Sequence, residues 1–108
     1  MTKTLRQRPG VSDPFTLDVR GAYLRRTDLS FANLERANLS HTDFTNASLR
    51  GANLKDAVLD GTILRGADLT GAKNLTLTQL TGAIIDEMTK LPEKFSLEEI
   101  LQNRQSVA

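Results

Sequence analysis

With 108 residues, 25% of them charged and 39% hydrophobic, the chain has the size and composition of one small soluble domain. Fourteen Lys and Arg against thirteen Asp and Glu leave a formal net charge of +1, so bulk charge points to neither a nucleic acid nor a strongly basic partner. The lack of cysteine excludes a disulfide framework, a thiol nucleophile and a thiolate metal site, and it suits a reducing compartment; the expected location is cytoplasmic.

The opening MTKTLRQRPG is basic, lacks the apolar stretch of a secretory signal, and reads as an arm. Residues 1–16 are assigned to this arm and an N-terminal cap, with Val11 and Phe15 leading into the fold and Phe15 lying over its open end. No apolar run exceeds three residues, as in Ala83 to Ile85, whereas about 20 are needed to cross a bilayer. No membrane partner is expected.

From residue 17 to about 75 the chain is organised by a five-residue period. Leu24, Leu29, Leu34, Leu39, Leu49, Leu54, Leu59, Leu64 and Leu69 are in phase, and Phe44 fills the one gap. Two places before each stands a small residue, from Ala22 and Thr27 through Thr62 and Ala67. At about 100° per residue, a five-residue step winds these Leu around every side of an α-helix, so a helix is excluded. A flat strand fails too, because its side chains alternate with a period of two. The backbone must turn once per repeat, with the Leu and the small residue pointing inward. The residue before each Leu is mostly Asp or Asn and points outward in polar ladders. Gly21, Gly51, Gly61, Gly66 and Gly71 fall at the recurrent corner, where a residue with a Cβ fits less readily. Pro9, Pro14 and Pro92 all lie outside the repeat, as expected if its amides form inter-coil hydrogen bonds. The region reads as a β-solenoid.

Units such as FANLE, RANLS, GANLK and GADLT resemble the pentapeptide-repeat family, whose pattern is Ala, then Asp or Asn, then Leu, then two variable residues. The resemblance implies a right-handed quadrilateral β-helix with four repeats per coil. It places Leu24, Phe44 and Leu64 in one interior column and Leu29, Leu49 and Leu69 in another, giving slightly under three complete coils. Segment 72 to 92 is similar to the terminating element of many such proteins, cyanobacterial ones especially, with a short helix and a last partial coil.

Residues 76–108 are assigned to this terminating coil and a C-terminal capping helix within the same single domain. Ser96 and Glu99 have capping-box spacing, and Leu97, Ile100, Leu101 and Arg104 recur at helical spacing, so a helix is expected to pack this face on the solenoid end.

No residue pattern supports catalysis. His41 is the only histidine and occupies an outward corner with no second His or Cys to complete a metal set. No phosphate loop, dinucleotide fingerprint, nucleophile elbow or paired-carboxylate pocket is present, so no catalytic residue, cofactor or metal is assigned. The expected role is non-enzymatic, a protein-interaction scaffold. Two alternatives are a modulator of a type II topoisomerase acting as a DNA mimic and a purely structural module without a dedicated partner. Seven basic and seven acidic residues between 17 and 72 make the rod neutral, which opposes DNA mimicry, and no nucleic-acid partner is expected. The oligomeric state is left open. Under the 20-residue coil, the uneven face carries Tyr23, Arg25, Arg26, Ile63 and Arg65; it is the candidate protein-binding surface, since Tyr and Arg are enriched at interface hot spots.

Overall fold

The computed structural model describes residues 17–107, so the expected arm and the Phe15 lid lie outside the described residues. Parallel single-residue bridges join positions 20 apart and define four faces. Asp18, Asn38 and Val58 form the first, and Tyr23, Asp43, Ile63 and Ile84 the second. Asp28, Ser48, Asp68 and Lys90 form the third, and Asn33, Asn53 and Lys73 the fourth. Among the described residues no bridge extends into a longer strand; each side of the coil is too short for more than one paired residue.

One repeat accounts for its own consensus when all five of its amides are followed. In 42–46, the Thr42 amide closes a turn on the Leu39 carbonyl at 3.1 Å. Asp43 donates back to Ala22 of the preceding coil, while Phe44 and Asn46 donate forward to Ile63 and Arg65. The remaining amide, of Thr45, donates to the Asp43 side chain, Oδ1, at 3.0 Å. The ladder leaves one donor over, and the carboxylate of the residue before the Leu takes it up, an Asx turn. The same bond recurs at Asp18, Asp28, Asn33, Asn38, Asn53 and Asp68.

The corner residue has positive φ in every repeat, whether glycine or not. Phe31 adopts φ 63° while 78% exposed, a left-handed conformation that a bulky residue rarely holds. Its ring lies directly over Gly51 in the next coil, where an added Cβ would meet ring carbons at 2.5 Å. His41 covers Gly61 and Asn46 covers Gly66 in the same way. Three glycine corners, Gly51, Gly61 and Gly66, therefore sit beneath the side chain of the corner one coil before.

Leu34, Leu39, Phe44, Leu49, Leu54, Leu59, Leu64 and Leu69 are buried, as the inward reading expects, while Val19, Leu24 and Leu29 of the first coil are only partly covered. The interior hydroxyls are satisfied by the coil before: Thr42 Oγ1 donates to the Val19 carbonyl at 2.8 Å and Thr62 Oγ1 to that of Leu39 at 2.6 Å.

After Lys73 the register slips. Asn74 turns at φ 64°, and helix α1 (Leu77–Gly82) follows, with Thr76 and Gln79 forming a reciprocal capping box. The spacing then lengthens to 21 residues between Ile63 and Ile84 and to 22 between Asp68 and Lys90. Helix α2 (Leu97–Val107) starts at Ser96, whose Oγ accepts from the Glu99 amide at 3.1 Å. Ile100 is fully buried, and Arg104 donates to the carbonyls of Thr81 and Ala83 beside α1. Leu101, expected on the inward face, is 43% exposed; the turn of the helix gives the buried stripe to Leu97, Ile100 and Arg104 instead. No helix among the described residues is long and apolar enough to cross a membrane.

Candidate functional site

The second face departs from the repeat's own chemistry. At the outward bridge position, where Asp or Asn would cap the spare amide, this ladder carries Tyr23, Ile63 and Ile84, with Asp43 as its one carboxylate. Tyr23 is 71% exposed, Ile84 36%, and Ile63 partly buried. With no side-chain acceptor before them, the amides of Arg25 and Arg65 have no protein partner among the described residues. Tyr23 and Ile63 thus each forgo a local hydrogen bond, worth about 0.5–1.5 kcal/mol, whereas after Ile84 the Asp86 amide is taken by Thr89 Oγ1 at 3.1 Å. Val58 does the same on the first face, at 40% exposure.

Arg25 spans the row. Its Nε donates to Asp43 Oδ2 at 2.8 Å, and its guanidinium carbon lies 4.9 Å from the Tyr23 ring centroid. The Thr45 hydroxyl and then Arg25 hold the Asp43 carboxyl down at about 2, and the Asp43 bond raises Arg25 in turn. Arg25 and Asp43 therefore neutralise each other, leaving Tyr23 held over a closed pair. Arg26 sits at the corner toward the third face, exposed, its amide donating to Thr45 O at 2.9 Å. Arg65 follows Ile63 by two residues and is exposed.

The structure thus gathers Tyr23, Arg25 and Ile63 into one row, with Arg65 along its edge and Arg26 at the corner beyond. Asp43 stands in the row where the 20-residue coil expects it, while Ile84 escaped the sequence reading. Asp43 was legible in the spacing: a residue just after one Leu lies beside the outward residue 18 places on, as Arg50 with Asp68 and Ser30 with Ser48 repeat. Ile84 was hidden because α1 lengthens the spacing by one residue. His41 stands at its exposed corner over Gly61, and among the described residues no cluster of three or more His, Cys, Asp or Glu could hold a metal ion.

A family model described as pentapeptide repeats matches residues 18–51 and 47–86, with eight copies. Among solved structures, the chain is similar to the pentapeptide repeat protein Rfr23 from the cyanobacterium Cyanothece 51142, at 34% identity and TM-score 0.62 over 70% of this chain and 51% of that one. It is also similar to HetL of Nostoc sp. strain PCC 7120, involved in heterocyst differentiation regulation, at 38% identity and TM-score 0.52 over 68% of this chain and 31% of HetL. The pentapeptide repeat protein alr5209 of Nostoc PCC 7120 matches at 31% identity and TM-score 0.54 over 79% of this chain and 78% of its own. The chain spans about half the length of Rfr23 and about a third of HetL. No curated protein matches. These neighbours give the fold as a right-handed β-helix solenoid. On the length of the repeat match and its agreement with the 20-residue ladders, the chain belongs to the pentapeptide-repeat family.

Proposed function

We propose that the chain is a non-enzymatic, cytoplasmic protein-binding module that engages a partner protein through its second face. The observation that carries this reading is the row of Tyr23, Ile63 and Ile84, exposed or partly so, at positions where the other faces mostly place Asp or Asn. A surface that forgoes local hydrogen bonds to present an aromatic ring and aliphatic side chains, with guanidinium groups at its edge, has the composition of an interface core. The bridges fix the row's backbone, so little conformational entropy is lost on binding. A regulatory role of the kind stated for HetL accords with such a module. The repeat region is taken as slightly under three complete coils, with α2 as the C-terminal cap; the burial of Ile100 and the Arg104 bonds to the α1 region support the capping role.

Affinity capture from the native host tests the reading. Tyr23→Ala combined with Arg65→Glu changes two exposed side chains and should leave the melting temperature within a few degrees, since such changes move stability by about 0.5 kcal/mol. Capture should fall by more than about tenfold, or about 1.4 kcal/mol. Lys73→Glu on the fourth face should not affect it. Loss with Lys73→Glu and retention in the double variant would place the surface elsewhere.

A further inference from the structure

Helix α1 breaks the solenoid at one corner and leaves a gap in its hydrogen bonding. From Gly21 to Gly66 there are ten corner amides, and eight donate to a carbonyl of the next coil, as Gly51 to Thr70 and Gly61 to Gly82 do. A ninth, Gly66, donates to the Asp86 carboxylate at 3.1 Å, the register having slipped so that a side chain stands where a carbonyl belongs. The tenth, Asp56, has no protein partner among the described residues.

The cause is local. The regular partner of the Asp56 amide is the carbonyl nineteen places on, that of Leu75, by the rule that joins Arg36 to Lys55. Asn74 already takes the left-handed turn at φ 64°, two residues ahead of the regular corner at Thr76, and carries the chain away into α1. A groove of about 500 Å³ opens there, lined by Lys55 and Asp56 on one wall and Asn74, Leu75 and Thr76 on the other. Two carbonyls on this edge are already answered: Gln79 Nε2 donates to those of Leu54 and Ala57 at 2.9 Å. The Leu59 amide, whose regular partner lies in α1, is also without one among the described residues. Two amides, of Asp56 and Leu59, are thus left over at this edge beside the Asp56 side chain. Lys55 lines the same groove and has no ion pair among the described residues.

We propose that this groove is a second docking site, separate from the Tyr23 face, that takes an aspartate side chain on an extended partner segment. Its carboxylate accepts from the Asp56 amide, as Asp86 does at Gly66, and pairs with Lys55. Lys55 favours a carboxylate over the neutral carbonyl that fills the other corners. The Asp56 carboxylate, which also lines the groove, opposes the incoming charge and sets the affinity low.

The test is an amide-resolved NMR titration of the full chain with acetyl-Gly-Asp-Gly-amide and its Asn counterpart. The Asp peptide should move the Asp56 amide saturably with a Kd of about 1–10 mM, and the Asn peptide should bind more weakly by about two- to fivefold. Lys55→Met should remove that preference. Asp56→Asn should tighten binding, and it should fold, because asparagine already holds this left-handed conformation at Asn46 and Asn74. Tyr23→Ala with Arg65→Glu should change nothing here, so failure of the first surface leaves this one standing. An unmoved Asp56 amide, equal binding of the two peptides, or an unchanged preference in Lys55→Met would overturn the proposal. Tighter binding by acetyl-Gly-Gly, which offers only a terminal carboxylate, would overturn the choice of a side chain as the occupant.

Discussion

An aspartate or asparagine before an interior Leu or Phe answers a specific need, the one backbone amide per repeat that neither the ladder nor the turn uses. Replacing Asn53 by Val should therefore lower stability by about 1 kcal/mol, a fall of about 4–8 °C in melting temperature for a domain of this size. The reverse change, Val58→Asn, should raise it by a few degrees, because the Asp60 amide gains an acceptor and the new side chain stands beside Asn38. At the corners, Gly71→Ala meets only the Gly51 backbone nitrogen at 3.9 Å, an ordinary contact, and should lose only the left-handed penalty, about 1 kcal/mol. Gly51→Ala must also displace the Phe31 ring, so it should lose more, and Phe31→Ala should remove the excess. A double-mutant cycle by thermal melting with a coupling under about 0.3 kcal/mol would show that ring and corner do not interact. The inward Leu and the small residue before it were legible at once, because a five-residue period permits one orientation. The pairing of Phe31, His41 and Asn46 with the glycine one coil later was not, since it depends on which way the Cβ leans across the stack.

At the scale of elements, the solenoid ends where its spacing breaks. The regular step of 20 residues gives way to 21 and 22 as α1 and the turn at Asp86 are inserted. Side chains then replace missing backbone groups: Gln79 serves Leu54 and Ala57, and Asp86 serves Gly66. Helix α2 was readable from Ser96, Glu99 and the spacing of Leu97 and Ile100, whereas its contact with the α1 region through Arg104 was not, because α1 itself carries only a short capping signal. Deleting residues 93–108 should uncover Leu80 and the end of the fold. A lower melting temperature and concentration-dependent association by light scattering are expected, since an open edge pairs with other chains. A truncated protein that stays monomeric and melts like the full chain would show that α2 is not a cap.

For the whole molecule, acid response follows from carboxylates that serve the backbone. Asp28, Asp43, Asp68 and Asp86 all lie below the usual carboxylate range: Ser30 lowers Asp28, Thr45 and Arg25 lower Asp43, and at Asp68 and Asp86 burial pushes upward but hydrogen bonds more than offset it. Lowered folded-state values mean stability that is complete above the unfolded value, about 3.9, and lost as pH falls through the folded ones. The melting temperature should hold from neutral pH to about 5 and fall between about 4 and 2, the value of Asp43. Asp43→Asn keeps an acceptor for the Thr45 amide and should flatten that fall; an equally steep acid limb would separate it from these carboxylates. The central claim is that the second face gives up local hydrogen bonding in order to bind, and the most direct measurement is melting temperature and partner capture on one preparation of Ile63→Asn. Gaining the turn should hold or raise the melting temperature by about 2–4 °C while capture falls by more than about tenfold. Retained capture, or a loss of capture that only follows a loss of stability, would contradict the account.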